Sequence, residues 1–136
     1  MAGRIYTFGY GGRKPEELKA AAEELQATVV DVRIVPNTRV PGWSRGPLQA
    51  ALGERYQHVK ALGNVNYKGG GEIKLVDEPA GLDHVTRLLD LGRNVILLCA
   101  ESDPVGCHRT YIAGKLAEAG GYEVRHLRKN GQEPLL

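Results

Sequence analysis

The sequence predicts an α/β fold, a three-layer sandwich with a mainly parallel sheet of about four or five strands flanked by helices. Three observations carry that expectation. Short apolar runs alternate with longer amphipathic segments along the chain, the order produced when crossover helices join strands. The run Val95-Ile-Leu-Leu98 is continuously apolar, as in a strand buried on both faces. Polar segments follow three of the strands, at residues 9–13, 31–45 and 99–109. In a parallel sheet all three leave the same edge, where such sheets bind ligands.

Residues 5–8 read as the first strand, and Gly9-Tyr10-Gly11-Gly12-Arg13 follows. A helix begins near Pro15, with Glu16 and Glu17 in a first turn that favours negative charge. Leu18, Ala21, Ala22 and Leu25 share its apolar face, although Lys14 is a poor capping residue. The glycine cluster makes a tight turn or lets backbone N–H groups approach an anion. It is neither the dinucleotide fingerprint nor a P-loop. Residues 28–32 read as the second strand, with Asp31 and Arg33 at its end.

Residues 33–53 contain no acidic residue and carry Arg33, Arg39, Trp43 and Arg45, with Pro36, Pro41 and Pro47 as breakers. A long irregular loop is unusual in a compact domain unless it has a function. Arginines beside an aromatic ring suit phosphate contacts and base stacking; the plainer alternative is that Trp43 anchors the loop on the core. Residues 47–52 form a short helix and residues 56–59 a third strand carrying His58, which is more often structural than catalytic. Residues 64–74 are glycine-rich, with Gly69, Gly70 and Gly71, and read as a flexible loop or lid. Asp77-Glu78-Pro79 opens a helix with Leu82, Val85, Leu88 and Leu89 inward and Gly92 at its end. The strand at 95–98 follows. Asp103-Pro104 then offers an N-cap and a first helical position for a helix that buries Ile112, Ala113 and Leu116 and stops at Gly120-Gly121. Residues 122–127 are the last strand, and the basic tail reads as a solvated end.

The 136 residues fit one domain, 1–136, and 42% hydrophobic content argues against disorder. No apolar run spans a bilayer and no apolar signal segment opens the chain, so a soluble cytoplasmic protein without a membrane partner is expected. Two cysteines do not make a disulfide scaffold. The net charge of +2 neither demands nor excludes nucleic acid, and nothing in the sequence sets an oligomeric state.

The candidate catalytic residues are Cys107, Glu101 and Asp31. Cys107 lies near a helix N-terminus, with Arg109 in the same loop; both favour the thiolate, while burial and nearby Glu101 and Asp103 oppose it. Cys99 ends a strand and reads as a buried structural thiol. If the helix includes Cys107, His108 points about 100° away and is badly placed as its base. Glu101 has no capping role to explain it, unlike Asp103, and is the better carboxylate. Asp31 is expected to pair with Arg13 or Arg109. The candidate anion-binding residues are Arg13, Arg33, Arg39, Trp43, Arg45, His108 and Arg109. Cys99, Cys107 and His108 are conceivable zinc ligands. Their C-x7-C spacing is not that of a zinc knuckle and a fourth ligand is not evident, so no metal and no cofactor are expected. A Cys99–Cys107 redox disulfide likewise lacks the C-x-x-C spacing.

Tyr6-Thr-Phe-Gly9-Tyr10-Gly11-Gly12-Arg13, Asp31-Val-Arg33-Ile-Val-Pro36, Pro41-Gly-Trp43-Ser44-Arg45-Gly46-Pro47-Leu48, Ala61-Leu-Gly63 and Cys99-Ala-Glu101 through Cys107-His108-Arg109 together resemble the domain of unknown function 488 family, a prokaryotic group. The resemblance covers nearly the whole chain and implies a compact α/β domain without implying an activity. The family's glycine pair after Leu62 is Gly63-Asn64 here. The residues themselves point to an anionic ligand. The first reading is an enzyme acting on a phosphorylated or nucleotide-like substrate at the sheet's carboxyl edge, with a Cys thiolate as its reactive group. The alternative is a nucleic-acid-binding module that uses the Arg/Trp loop without chemistry.

Overall fold

The structure is a computed structural model that describes residues 2–67, 71–100 and 107–128. Among these, five strands form one sheet: β1 (Ile5–Gly9), β2 (Ala27–Asp31), β3 (Tyr56–His58), β4 (Asn94–Cys99) and β5 (Val124–Leu127). Their order is β3-β2-β4-β1-β5 and every pairing is parallel. Four α-helices cover it: α1 (Pro15–Leu25), α2 (Arg45–Leu52), α3 (Glu78–Asp90) and α4 (His108–Gly120). The fold class is the expected one.

β4 lies at the centre and alternates between two cores. Val95, Leu97 and Cys99 pack with Val85 and Leu89 of α3 and Ile112 and Leu116 of α4. Ile96 and Leu98 pack with Leu18 and Ala22 of α1 and Leu48 and Leu52 of α2. Each strand residue therefore meets a helix whichever way it points, which is why the run is apolar without alternation.

The topology also fixes where a ligand can sit. The chain leaving β2 runs outward to β3 at one edge, whereas the chain leaving β4 runs to β5 at the other. The two connections diverge above the adjacent ends of β2 and β4. That switch point leaves a crevice at the carboxyl edge.

Two helix starts differ from the sequence expectation. α2 begins at Arg45, not Pro47, so the irregular stretch after β2 ends at Ser44. Pro47 sits in the first turn, whose N–H groups lack intrahelical partners, and costs the helix nothing there. α4 begins at His108, and its N-cap is Cys107 in an extended conformation. Asp103 and Pro104 themselves lie outside the described residues, as do Gly69 and Gly70. The other ends agree to within about two residues: the Asp77 side chain caps α3, and Gly121, at φ 71°, ends α4.

Candidate functional site

A cavity of about 390 Å³ fills the switch-point crevice. Its walls come from four directions. Tyr10 follows β1; Arg33, Ile34, Asn37 and Thr38 follow β2; Cys99 and Ala100 end β4, and His108 begins α4. Asn64, Asn66, Tyr67 and Ile73 close the fourth side. No Asp or Glu is among the described lining residues.

Arg33 is the cavity's principal cation. Residues two apart in an extended chain share a face, so its guanidinium doubles back over Asp31. Asp31 is fully buried and Arg33 is 8% exposed. Asp31 Oδ1 accepts from the Arg33 backbone N–H at 3.1 Å and from Nε at 2.9 Å. Oδ2 accepts from Nη2 at 2.6 Å and from the Tyr56 hydroxyl at 2.6 Å. Burial disfavours the Arg33 cation, but Asp31 and then Tyr10 outweigh it and the pKa rises. Burial, then Asp31, push the Tyr56 phenol above its ordinary range. His58 adds a further tie, its Nε2 lying 2.7 Å from the Arg33 carbonyl. Nη1 of Arg33 is buried and has no hydrogen-bond partner.

Asp31 pairs with Arg33, then, rather than with Arg13 or Arg109. Four donors occupy its carboxylate and it does not line the cavity, so its place is to hold Arg33 rather than to move a proton. Arg13 is not among the described residues lining the cavity. Its guanidinium lies 3.7 Å above the Phe8 ring, and Nη1 donates to the Leu127 carbonyl at 2.8 Å. Desolvation of this side chain lowers its pKa.

The expectation that Trp43 stacks on a base is corrected. Trp43 is fully buried, stacked on Tyr10 at 4.8 Å between ring centroids, and donates from Nε1 to the Arg13 carbonyl at 3.2 Å. It anchors the loop on the core. Arg39 and Arg45 are exposed and line no part of the cavity.

The second cluster sits beside the first. The Cys99 and Cys107 sulfurs lie 2.7 Å apart, 2% and 1% exposed. Nη1 of Arg109, itself 1% exposed, lies 3.0 Å from each sulfur. Burial disfavours the Arg109 cation, but the two cysteines outweigh it and the pKa rises. Arg109 thus faces sulfur behind the cavity wall rather than a ligand within it. The reading of Cys107 as a reactive thiolate is also corrected. The hydrogen bond with Cys99 and burial raise its pKa well above the usual thiol range, outweighing His108 and Arg109. His108 is not turned away from Cys107, because Cys107 is the extended N-cap and not a helical residue. The two sulfurs and a His108 ring nitrogen all lie within 4.8 Å of one another. Glu101 lies outside the described residues.

The sequence reading took residues 64–74 as a flexible loop or lid but named none of Asn64, Asn66, Tyr67 and Ile73 as site residues. Asn64 Oδ1 accepts from Asn66 N and Lys74 N at 3.1 Å each, while Val65 N donates to the Lys74 carbonyl at 2.8 Å. The described stretches on either side of residues 68–70 thus run antiparallel, with Asn64 bridged to Leu75. Just before Asn64, Gly63 packs on the loop after β2, where a Cβ would come 2.6 Å from the Ile34 Cα. Asn64 and Asn66, two residues apart beside a glycine run, were the available signal, since such side chains close local turns.

No family model and no curated protein matches the chain. Among solved structures it is similar to a mutant of the Mycobacterium tuberculosis APS kinase, at 18% identity and a TM-score of 0.40, over 99% of this chain and 82% of that one. A likeness that remote says nothing of this chain's ligand. Among the described residues, no helix is long and apolar enough to cross a membrane.

Proposed function

We propose that the switch-point cavity binds a small phosphate-bearing ligand of mononucleotide size, and that the protein is an enzyme acting on it. The observation that carries this reading is Arg33: a residue of the cavity wall whose buried guanidinium is held by Asp31 and keeps one nitrogen, Nη1, without a hydrogen-bond partner. A buried donor without a partner costs free energy, and an anion in the cavity offsets that cost. The neutral remainder of the wall supports the same class, because Asn37, Thr38, Asn64 and Asn66 supply polar groups without repelling negative charge. The volume lies in the range of small-molecule sites. A Cys107 thiolate nucleophile is not part of this reading, since the thiol is buried and its pKa raised.

On the motifs from Tyr6 to Arg109 we also assign the chain to the domain of unknown function 488 family. A member whose Asp-x-Arg and Cys-His-Arg residues occupied other places in the fold would overturn that assignment.

Calorimetry with inorganic phosphate and a panel of nucleoside monophosphates tests the ligand. A member of the panel is expected to bind, and Arg33→Gln to weaken it at least about tenfold, equivalent to about 1.4 kcal/mol. No binding across the panel, or unchanged affinity in a folded Arg33→Gln variant, overturns the reading.

A further inference from the structure

The Cys99–Cys107–His108 cluster is not explained by anion binding. We propose that it is a binding site for a divalent transition metal, zinc(II) by its chemistry, with a fourth coordination position facing the cavity. Two thiolates and an imidazole form a soft and borderline donor set that matches zinc, and three protein ligands with one open position is the pattern of reactive rather than structural zinc.

Four observations support the site. The two sulfurs and the imidazole converge within 4.8 Å although the cysteines are eight residues apart, because one ends β4 and the other caps α4. His108 Nε2 lies 2.9 Å from the Val32 carbonyl, so that nitrogen carries the proton and Nδ1 keeps the lone pair for a metal. A backbone carbonyl fixing the tautomer is the usual outer partner of a metal-bound histidine. Arg109 Nη1 lies 3.0 Å from both sulfurs, and coordinated thiolates have lone pairs left to accept such N–H groups. Finally, Cys99 and His108 line the cavity, so the open position faces the space assigned to the ligand.

Zinc–sulfur bonds of about 2.3 Å at a tetrahedral angle require the sulfurs to separate by about 1 Å. Cys107 is the extended N-cap rather than a helical residue, and the separation comes from rotation about its side-chain bond. Binding displaces the two thiol protons to solvent, and no oxidation or reduction is involved. The site does not depend on the anion reading: Arg33 supplies none of its donors.

The test is anaerobic titration of the reduced, metal-free full chain with cobalt(II), followed by zinc(II) competition. One equivalent is expected to bind, with thiolate-to-cobalt charge transfer in the near ultraviolet and the strong visible bands of a four-coordinate ion, both erased by zinc. Cys99→Ser and Cys107→Ser should each cut the charge transfer by at least half, and His108→Asn should weaken uptake at least about tenfold. Arg33→Gln should leave the spectrum unchanged even where it abolishes anion binding, so the two readings fail separately. A measurement on the unmutated chain guards against variants that do not fold: zinc should slow alkylation of both cysteines together. Substoichiometric uptake, charge transfer that persists in a folded Cys107→Ser variant, or alkylation indifferent to zinc would overturn the site. So would a cluster that only forms a disulfide.

Discussion

Replacing Asp31 with Ala removes the acceptor of four hydrogen bonds in one step: three from Arg33 and one from Tyr56. Arg33 stays behind at 8% exposure, too deep for water to take over the lost contacts. Stripping one partner from a buried ion pair costs about 3–5 kcal/mol. The stranded Tyr56 hydroxyl belongs to the same network, so its loss is not simply added. In a domain of this size each kcal/mol moves the midpoint by about 3–5 °C, so Asp31→Ala should melt about 9–25 °C below the unmutated protein. Urea unfolding should show the same loss as a lower midpoint with little change in slope. Arg33→Met alone strands the carboxylate, and the double variant Asp31→Ala/Arg33→Met strands neither charge. The double variant should therefore lose about 1–3 kcal/mol less than the two single losses combined. An Asp31→Ala loss under about 1 kcal/mol, the range of an exposed pair, or single losses that simply add, would refute the account of Asp31 as the holder of a buried Arg33.

Trp43→Ala should cost about 3–5 kcal/mol by cavity formation, and in the unmutated chain Trp43 emission should be blue-shifted and unaffected by added oligonucleotide. Arg39→Ala/Arg45→Ala should change phosphate affinity less than about twofold, or about 0.4 kcal/mol; a tenfold loss would place the loop back in the site. The raised Cys107 pKa stabilises the folded state fully below the unfolded thiol value of about 8.5 and less as pH rises above it. Tyr56 behaves likewise above about 10. Metal-free protein should therefore lose stability from about pH 8.5 upward, and Cys107→Ser should remove the first part of that slope in urea titrations. His126 has its pKa lowered, first by burial and then by Arg109 and Arg128. Its contribution is present above the unfolded value of about 6.5 and lost as pH falls below it; His126→Gln should flatten that acid limb.

The sheet was legible because burial on both faces leaves a plain mark, as in Val95 to Leu98. The site was legible only as a region. Asp31 and Arg33 lie two apart on an extended chain, and that spacing already contains their pairing. Periodicity alone gives no reason to choose so local a partner over Arg13 or Arg109, and only the path of the chain decides it. Trp43 was undetermined for a related reason: a tryptophan among arginines is equally suited to core and surface until the Tyr10 ring is known to lie beneath it. The cysteine cluster was named from the residues but set aside on its spacing and its missing fourth ligand, and the helix start misplaced its members. With the helix begun at Pro104, Cys107 falls inside its first turns and His108 points away. With Cys107 as the N-cap, the geometry reverses. The last residue of a strand and the N-cap of the following helix both lie at the carboxyl edge of a parallel sheet, as Cys99 and Cys107 do. The first helical residue then comes close to both. Three candidate metal donors thus meet because of where one helix starts, and that boundary is the feature sequence patterns locate least well.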